Sequence, residues 1–142
     1  MILEPTSLVR IVIVEDFSAF RRSICSILQK RKNLQVVCEV SDGLEAVQKA
    51  KELKPDLILL DIGLPKLNGL RAAQEIRRVA PESKIIFLSQ ESSPDIVREA
   101  LNLGALGYVA KTRVASDLIT AVEEVLQGRR FVSRGLLPSE SD

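Results

Sequence analysis

Along this chain, short unbroken apolar runs alternate with longer stretches in which apolar residues return every third or fourth position. The runs stand at 8–14 (LVRIVIV), 34–40 (LQVVCEV), 56–60 (DLILL), 84–88 (KIIFL) and 107–110 (GYVA). Their length and β-branched content suit strands. Between them the period changes. Phe17, Phe20, Ile24, Ile27 and Leu28 form one stripe, and Val114, Leu118, Ala121, Val122 and Val125 another, at the spacing that aligns one face of a helix. Weaker stripes, Leu44 with Val47 and Ala50, Leu70 with Ala73 and Ile76, and Ile96 with Ala100 and Leu103, predict three more helices.

Local punctuation agrees with these boundaries. Asp42 with Glu45 resembles a capping box, Asn68-Gly69 opens the third helix, and Ser93-Pro94 opens the fourth with proline at its first position. Gly104 and Gly128 fall where C-terminal caps are wanted. Five βα units predict an α/β fold with a parallel sheet, and IVIV and LILL read as central strands buried on both faces. Right-handed crossovers place helices on both sides of such a sheet. Ligands then bind at the carboxyl ends of the strands.

Composition narrows the class. With 142 residues, 46% of them hydrophobic, the chain suits one globular domain and leaves no room for a second. Twenty basic against nineteen acidic side chains give a net charge of +1, which argues against direct binding of nucleic acid by charge. No apolar run approaches a bilayer span, and the opening MILEPTSLVR lacks the features of a signal peptide, so a cytoplasmic address without membrane contact is expected. Cys25 and Cys38 have no metal-binding spacing and read as small core residues. The absence of histidine excludes histidine-based triads and histidine metal sites.

What remains is carboxylate, hydroxyl and lysine chemistry, and it gathers at the strand ends. The first strand ends in Glu15-Asp16, the third in Asp61, the fourth in Ser89 and the fifth in Lys111. Singly, each has a bland role as a helix cap, a turn residue or a solvated charge. Jointly they are harder to dismiss, because a parallel fold puts all five on one edge of the sheet. Three carboxylates brought together repel, and a proton or a cation must offset them. Magnesium suits one or two carboxylates with phosphate oxygens and water. One carboxylate can then act as nucleophile towards phosphorus, with Lys111 offsetting phosphoryl charge and the Ser89 hydroxyl donating a hydrogen bond.

These motifs, the acidic pair of IVIVEDF, the aspartate of LLDIGLPKLNG, the hydroxyl of IIFLSQ and the lysine of GALGYVAK, resemble the CheY-like receiver domain of two-component response regulators over residues 7 to about 128. The resemblance implies a flavodoxin-like, doubly wound (βα)5 fold with strand order 2-1-3-4-5. It implies that Glu15, Asp16 and Asp61, with the Gly63 carbonyl, hold Mg2+. It further implies that Asp61 accepts a phosphoryl group from a sensor histidine kinase or phosphotransfer protein, that Ser89 is the switch hydroxyl and that Lys111 contacts the phosphoryl group. Tyr108 matches the aromatic switch position, expected to turn inward on phosphorylation and to alter the surface of the fourth helix, fifth strand and fifth helix. Such a domain is a non-enzymatic regulator, promoting only its own phosphorylation and dephosphorylation.

Two residues depart from the family pattern. Thr112 stands where many receivers have proline, which puts a cis bond after Lys111 in doubt. Gln90 replaces a small residue after the switch hydroxyl and narrows access to the site, with Glu91 beside it on the rim. Haloacid-dehalogenase-like phosphatases need D-x-D-x-T after the first strand, which DIGLP on the third does not supply, and GALGYVAKT lacks P-loop glycine spacing. A receiver-like interaction module that works without phosphorylation is the remaining alternative. The tail GRRFVS resembles the lead into the linker of NarL/FixJ receivers joined to a LuxR-type DNA-binding domain. The division expected is a receiver at 1–128 and a linker or tail at 129–142, with weak homodimerisation on phosphorylation and control of an output, transcription foremost, either through a LuxR-type DNA-binding domain absent from this chain or, as a stand-alone regulator, through contact with a partner.

Overall fold

A computed structural model of the protein describes residues 8–90 and 93–136. Glu91 and the ends of the expected division, 1–7 and 137–142, lie outside them. The elements follow in the order β1 (Val9–Val14), α1 (Ser18–Leu28), β2 (Leu34–Val40), α2 (Gly43–Leu53), β3 (Leu57–Asp61), α3 (Gly69–Val79), β4 (Lys84–Ser89), α4 (Pro94–Asn102), β5 (Gly107–Ala110), α5 (Val114–Leu126) and β6 (Phe131–Val132). A single 3-10 turn, Lys111–Arg113, joins β5 to α5. All neighbouring strands pair in parallel in the order β2-β1-β3-β4-β5-β6. The order 2-1-3-4-5 is therefore present, and the segment after α5 adds a sixth strand that the hydrophobic pattern does not announce.

Strand periodicity divides the core between the two sheet faces. Ile11, Ile13, Leu57, Leu59, Ile86 and Leu88 face α1 and α5, while Val12, Val14, Ile58, Leu60, Ile85 and Phe87 face α2, α3 and α4. All five residues of β3 are buried. Each of its four apolar side chains contributes roughly 1.5–3 kcal/mol on burial, enough together to hold the backbone of Asp61 firmly at the strand's end.

The caps form where expected. Asp42 Oδ1 accepts from the Glu45 amide at 2.9 Å, and Asn68 Oδ1 accepts from the Arg71 amide at 3.0 Å. Pro94 sits in the first turn of α4 behind Ser93, whose side chain makes no capping bond. Gly104 and Gly128 follow α4 and α5 with φ of 95° and 83°. Two residues of the predicted stripes do not join the core, Phe17 at 64% exposure and Leu44 at 57%. Phe17 precedes the first helical turn as the N-cap of α1, so the helical period does not govern it. In α2 the buried face runs through Gly43, Ala46 and Ala50, because its first turn presses on the β3–α3 loop. A Cβ at Gly43 would lie 1.8 Å from the Leu67 carbonyl oxygen.

Candidate functional site

Parallel register brings the strand ends together: Val14 pairs with Leu60, Asp61 with Leu88, and Ser89 with Ala110. One open cleft is consequently lined by Glu15, Asp16, Asp61, Ser89, Gln90 and Lys111. The β3–α3 loop leaves Asp61 by a tight path. Gly69 donates its amide to the Ile62 carbonyl at 2.8 Å, and a Cβ on Gly69 would lie 2.3 Å from the carbonyl oxygen of Asp61. Only glycine permits this approach.

Lys111 is the hub. Its Nζ stands 2.9 Å from Glu15 Oε1 and 3.2 Å from Asp61 Oδ2, and 5.0 Å from the centre of the Phe20 ring. Asp61 Oδ1 accepts from the Gly63 amide at 3.0 Å. Glu15 is fully buried; its Oε2 accepts from the Phe17 amide at 3.1 Å, and its backbone carbonyl accepts from Arg21 Nη1 at 2.7 Å. Arg21 also pairs with Glu39 at 3.1 Å, tying the β1–α1 turn to β2. Glu15 Oε1 receives no well-directed hydrogen bond, although the ammonium lies at ion-pair distance.

Burial pushes the Glu15 carboxyl above the usual carboxylate range, with nearby Asp61 adding to the rise and Lys111 and the Phe17 amide opposing it. Burial alone would lower the Lys111 pKa, but the bonds and charges of Glu15 and Asp61 outweigh it and hold the ammonium above its ordinary value. Glu15, Asp16 and Asp61 each offer a carboxylate oxygen, all within 4.8 Å of one another, with Glu15 and Asp61 buried and Asp16 exposed. Three formal negative charges face one ammonium. The excess charge and the hard oxygen donors are compatible with Mg2+.

The remaining expected residues are also close by. Ser89 is 2% exposed at the end of β4. Gly63 sits on the rim, where a Cβ would lie an ordinary 3.9 Å from Asp61 Oδ1, so glycine here leaves an opening without relieving a clash. The Tyr108 ring is wholly buried, tilted against Phe87 at 6.3 Å between centres, where it fills the core beside β4. No cis peptide occurs among the described residues, that after Lys111 included.

Sequence reasoning missed four contributors. Phe20 reads as a core position, and nothing in its spacing signals an ammonium over its ring. Arg21 looks like one more exposed helix charge. Asp117 and Ser133 form a buried polar junction: Ser133 Oγ donates to Asp117 Oδ2 at 2.8 Å and accepts from the Ala110 amide at 3.1 Å, one residue before Lys111. Asp117 interrupts an apolar stripe in α5, a signal that could have marked it for a buried partner.

The family model of the response regulator receiver domain matches residues 11–123. The chain is 36% identical over 124 residues to the transcriptional regulatory protein DegU of Brevibacillus brevis, covering 87% of this chain and 52% of that protein. It thus spans about half the length of the curated relative. Among solved structures it resembles a two-component response regulator of the LuxR family from an Aurantimonas species, at TM-score 0.87 and 30% identity over 92% of this chain and 93% of that one. It also resembles the signal receiver domain of the response regulator NarL from Mycobacterium tuberculosis, at TM-score 0.82 and 30% identity over 87% and 99%. With the matched family model covering most of the sheet and both acidic strand ends, the chain belongs to the response regulator receiver domain family, among relatives of the NarL and LuxR type.

Proposed function

We propose that this domain is a phosphorylation-dependent switch in which Asp61 accepts a phosphoryl group from a sensor histidine kinase or phosphotransfer protein. The observation that carries this reading is the pairing of Asp61 Oδ2 with Lys111 Nζ at 3.2 Å in a cleft open to solvent. An Asp61 carboxylate oxygen forms a bond to phosphorus while the bond from phosphorus to the donor's nitrogen breaks; the electron pair leaves with that nitrogen, which takes up a proton. Lys111 offsets charge on the phosphoryl oxygens and Ser89 donates a hydrogen bond to one of them. Glu15, Asp16, Asp61 and the Gly63 carbonyl would hold Mg2+. When bound, the ion supplies counter-charge and alignment for the phosphoryl oxygens.

Phosphorylation draws Ser89 towards the site and sets the Tyr108 ring inward, changing the surface around α4, β5 and α5. Weak homodimerisation follows, and residues 129–142 lead towards a LuxR-type DNA-binding domain through which transcription is regulated. Relatives that are transcriptional regulators, and the tail's own resemblance, support this output. The domain is not a turnover enzyme, and a cytoplasmic setting suits a kinase partner; among the described residues no helix is long and apolar enough to cross a membrane.

Incubation with phosphoramidate and Mg2+, followed by intact-mass measurement, tests the proposal. One phosphoryl adduct is expected on the native chain and none on Asp61→Asn. An adduct that survives this substitution would refute the acceptor. No adduct on the native chain would leave the phosphorylation-independent interaction module.

A further inference from the structure

We propose that Phe20 is a positioning residue for Lys111. The face of its ring holds the ammonium where Glu15 and Asp61 meet, so that Asp61 is phosphorylated faster than an aliphatic side chain of similar bulk would allow. This deepens the reading of Asp61 as acceptor and rests on it.

The need for such a residue follows from Lys111 itself. Its stem has four flexible carbons and rises from a single 3-10 turn, which fixes the backbone but not the ammonium. Glu15 and Asp61 draw the ammonium from the strand side, at 2.9 Å and 3.2 Å. Phe20 meets it at 5.0 Å from the ring centre, inside the roughly 6 Å within which a cation is attracted to an aromatic face. The lysine side chain is only 14% exposed, so little water competes for it. That strengthens the contact.

The ring is itself well anchored. Phe20 packs against the core between the sheet and α1, the same helix that buries Ile24 and Leu28 completely. The next residue, Arg21, binds the Glu15 carbonyl at 2.7 Å, so ring and carboxylate keep a fixed relation. Ring and Glu15 are therefore tied to the same β1–α1 turn.

A ring also suits the reaction better than a third carboxylate in its place. As phosphorus bonds to Asp61, negative charge passes from the carboxylate to the phosphoryl oxygens, and the ammonium must follow it. An aromatic face attracts the cation without a directional hydrogen bond, so the ammonium can slide across it. A carboxylate would trap it.

The test compares Phe20→Leu, Phe20→Met and Phe20→Tyr with the native protein, all with phosphoramidate and Mg2+, by initial rate of Asp61 adduct formation. Leucine and methionine should slow the reaction by about fivefold, on the order expected for losing a partly desolvated cation–π contact. Tyrosine, which keeps the ring face, should restore the native rate. Proton NMR supplies a second readout without any phosphodonor: the Lys111 ε-methylene signals should lie upfield in the native and tyrosine proteins and return to ordinary positions with leucine. If the aliphatic variants fold poorly, ring-fluorinated phenylalanines at position 20 preserve shape while weakening the face, and the rate should fall with each added fluorine. Native rates in folded leucine or methionine variants, or no trend with fluorination, would overturn the role of Phe20 while leaving Asp61 as acceptor. Failure of the native protein to label at Asp61 would overturn both.

Discussion

Ser133 Oγ lies 2.8 Å from Asp117 Oδ2, a hydroxyl–carboxylate bond buried at both ends that fastens the segment after α5 to the body of the domain. The same hydroxyl accepts the Ala110 amide, and the Ser133 amide donates to the Tyr108 carbonyl at 2.9 Å. Ser133→Ala would leave the Ala110 amide and one Asp117 lone pair without these partners. The expected cost is about 1–3 kcal/mol. Urea denaturation should record it, and hydrogen exchange should show the Ala110 amide losing protection. A change below about 0.5 kcal/mol, the ordinary range for an exposed site, would mean that the junction adds little.

Asp117 also sets an acid dependence. Burial opposes its ionisation, but bonds from Arg113, Ser133 and Ser116 outweigh burial and hold its carboxyl below the usual aspartate value. Because the folded value is the lower one, the stabilisation is fully present above the unfolded pKa of about 3.9 and is lost as pH falls through the folded value. Stability measured from neutral pH down into this range should fall more steeply in the native protein than in Asp117→Asn. Parallel curves would assign the acid limb to other groups.

Glu15 behaves in the opposite sense. Its folded pKa is raised, so its contribution to stability is greatest below the unfolded value of about 4.3 and declines as pH rises through the folded one. Burial thus makes ionisation of Glu15 a cost to the metal-free domain, one that Lys111 only partly offsets. Glu15→Gln should raise the melting temperature of the metal-free protein and shrink the further rise produced by Mg2+. For the native protein that rise corresponds to about 2.7 kcal/mol at a hundredfold excess over Kd. Calorimetry with and without chelator decides; an equal Mg2+ response in both proteins would exclude Glu15 from the cation site.

Gln90 stands exposed on the rim of the cleft that holds Asp61. Shortening it in Gln90→Ala should admit both phosphodonor and water more readily, speeding adduct formation and adduct loss by roughly threefold each, or about 0.7 kcal/mol from each barrier. Fold stability should hardly change, since the residue lies outside the core. An adduct on Gln90→Ala that lasts as long as the native one would show that Gln90 does not gate the site.

The fold was legible because its two periods are unambiguous. Ile11 to Val14 and Leu57 to Leu60 send alternate side chains to opposite cores, and Ile24, Leu28, Leu118 and Val122 line helical faces. The site was legible for a related reason: parallel strands fix which end of each run faces the cleft, so Glu15, Asp61, Ser89 and Lys111 had to converge. β6 was not legible. It is two residues long, and its place depends on Ser133 reaching Asp117 across the chain, which no local pattern encodes. Phe17 and Leu44 misled because hydrophobicity is a poor guide at an N-cap and in the first helical turn after it, where backbone direction decides what is buried. Phe20 was assigned to a face correctly, but a periodic stripe says nothing about which cation lies over a ring.

The short sixth strand also bears on how copies of this domain avoid one another. β5 would otherwise end the sheet with unpaired amides and carbonyls, a template for edge-to-edge stacking. Phe131 and Val132 cover that row, and at its end the Ala110 amide is taken by a serine side chain, which offers no backbone for another strand to continue. The new outer edge is only two residues long, with the exposed Arg130 and Arg134 on either side to repel a like edge. Trimming the protein after Gly128 would strip off this guard and leave β5 as a sticky border, trading a protected sheet for one prone to aggregation.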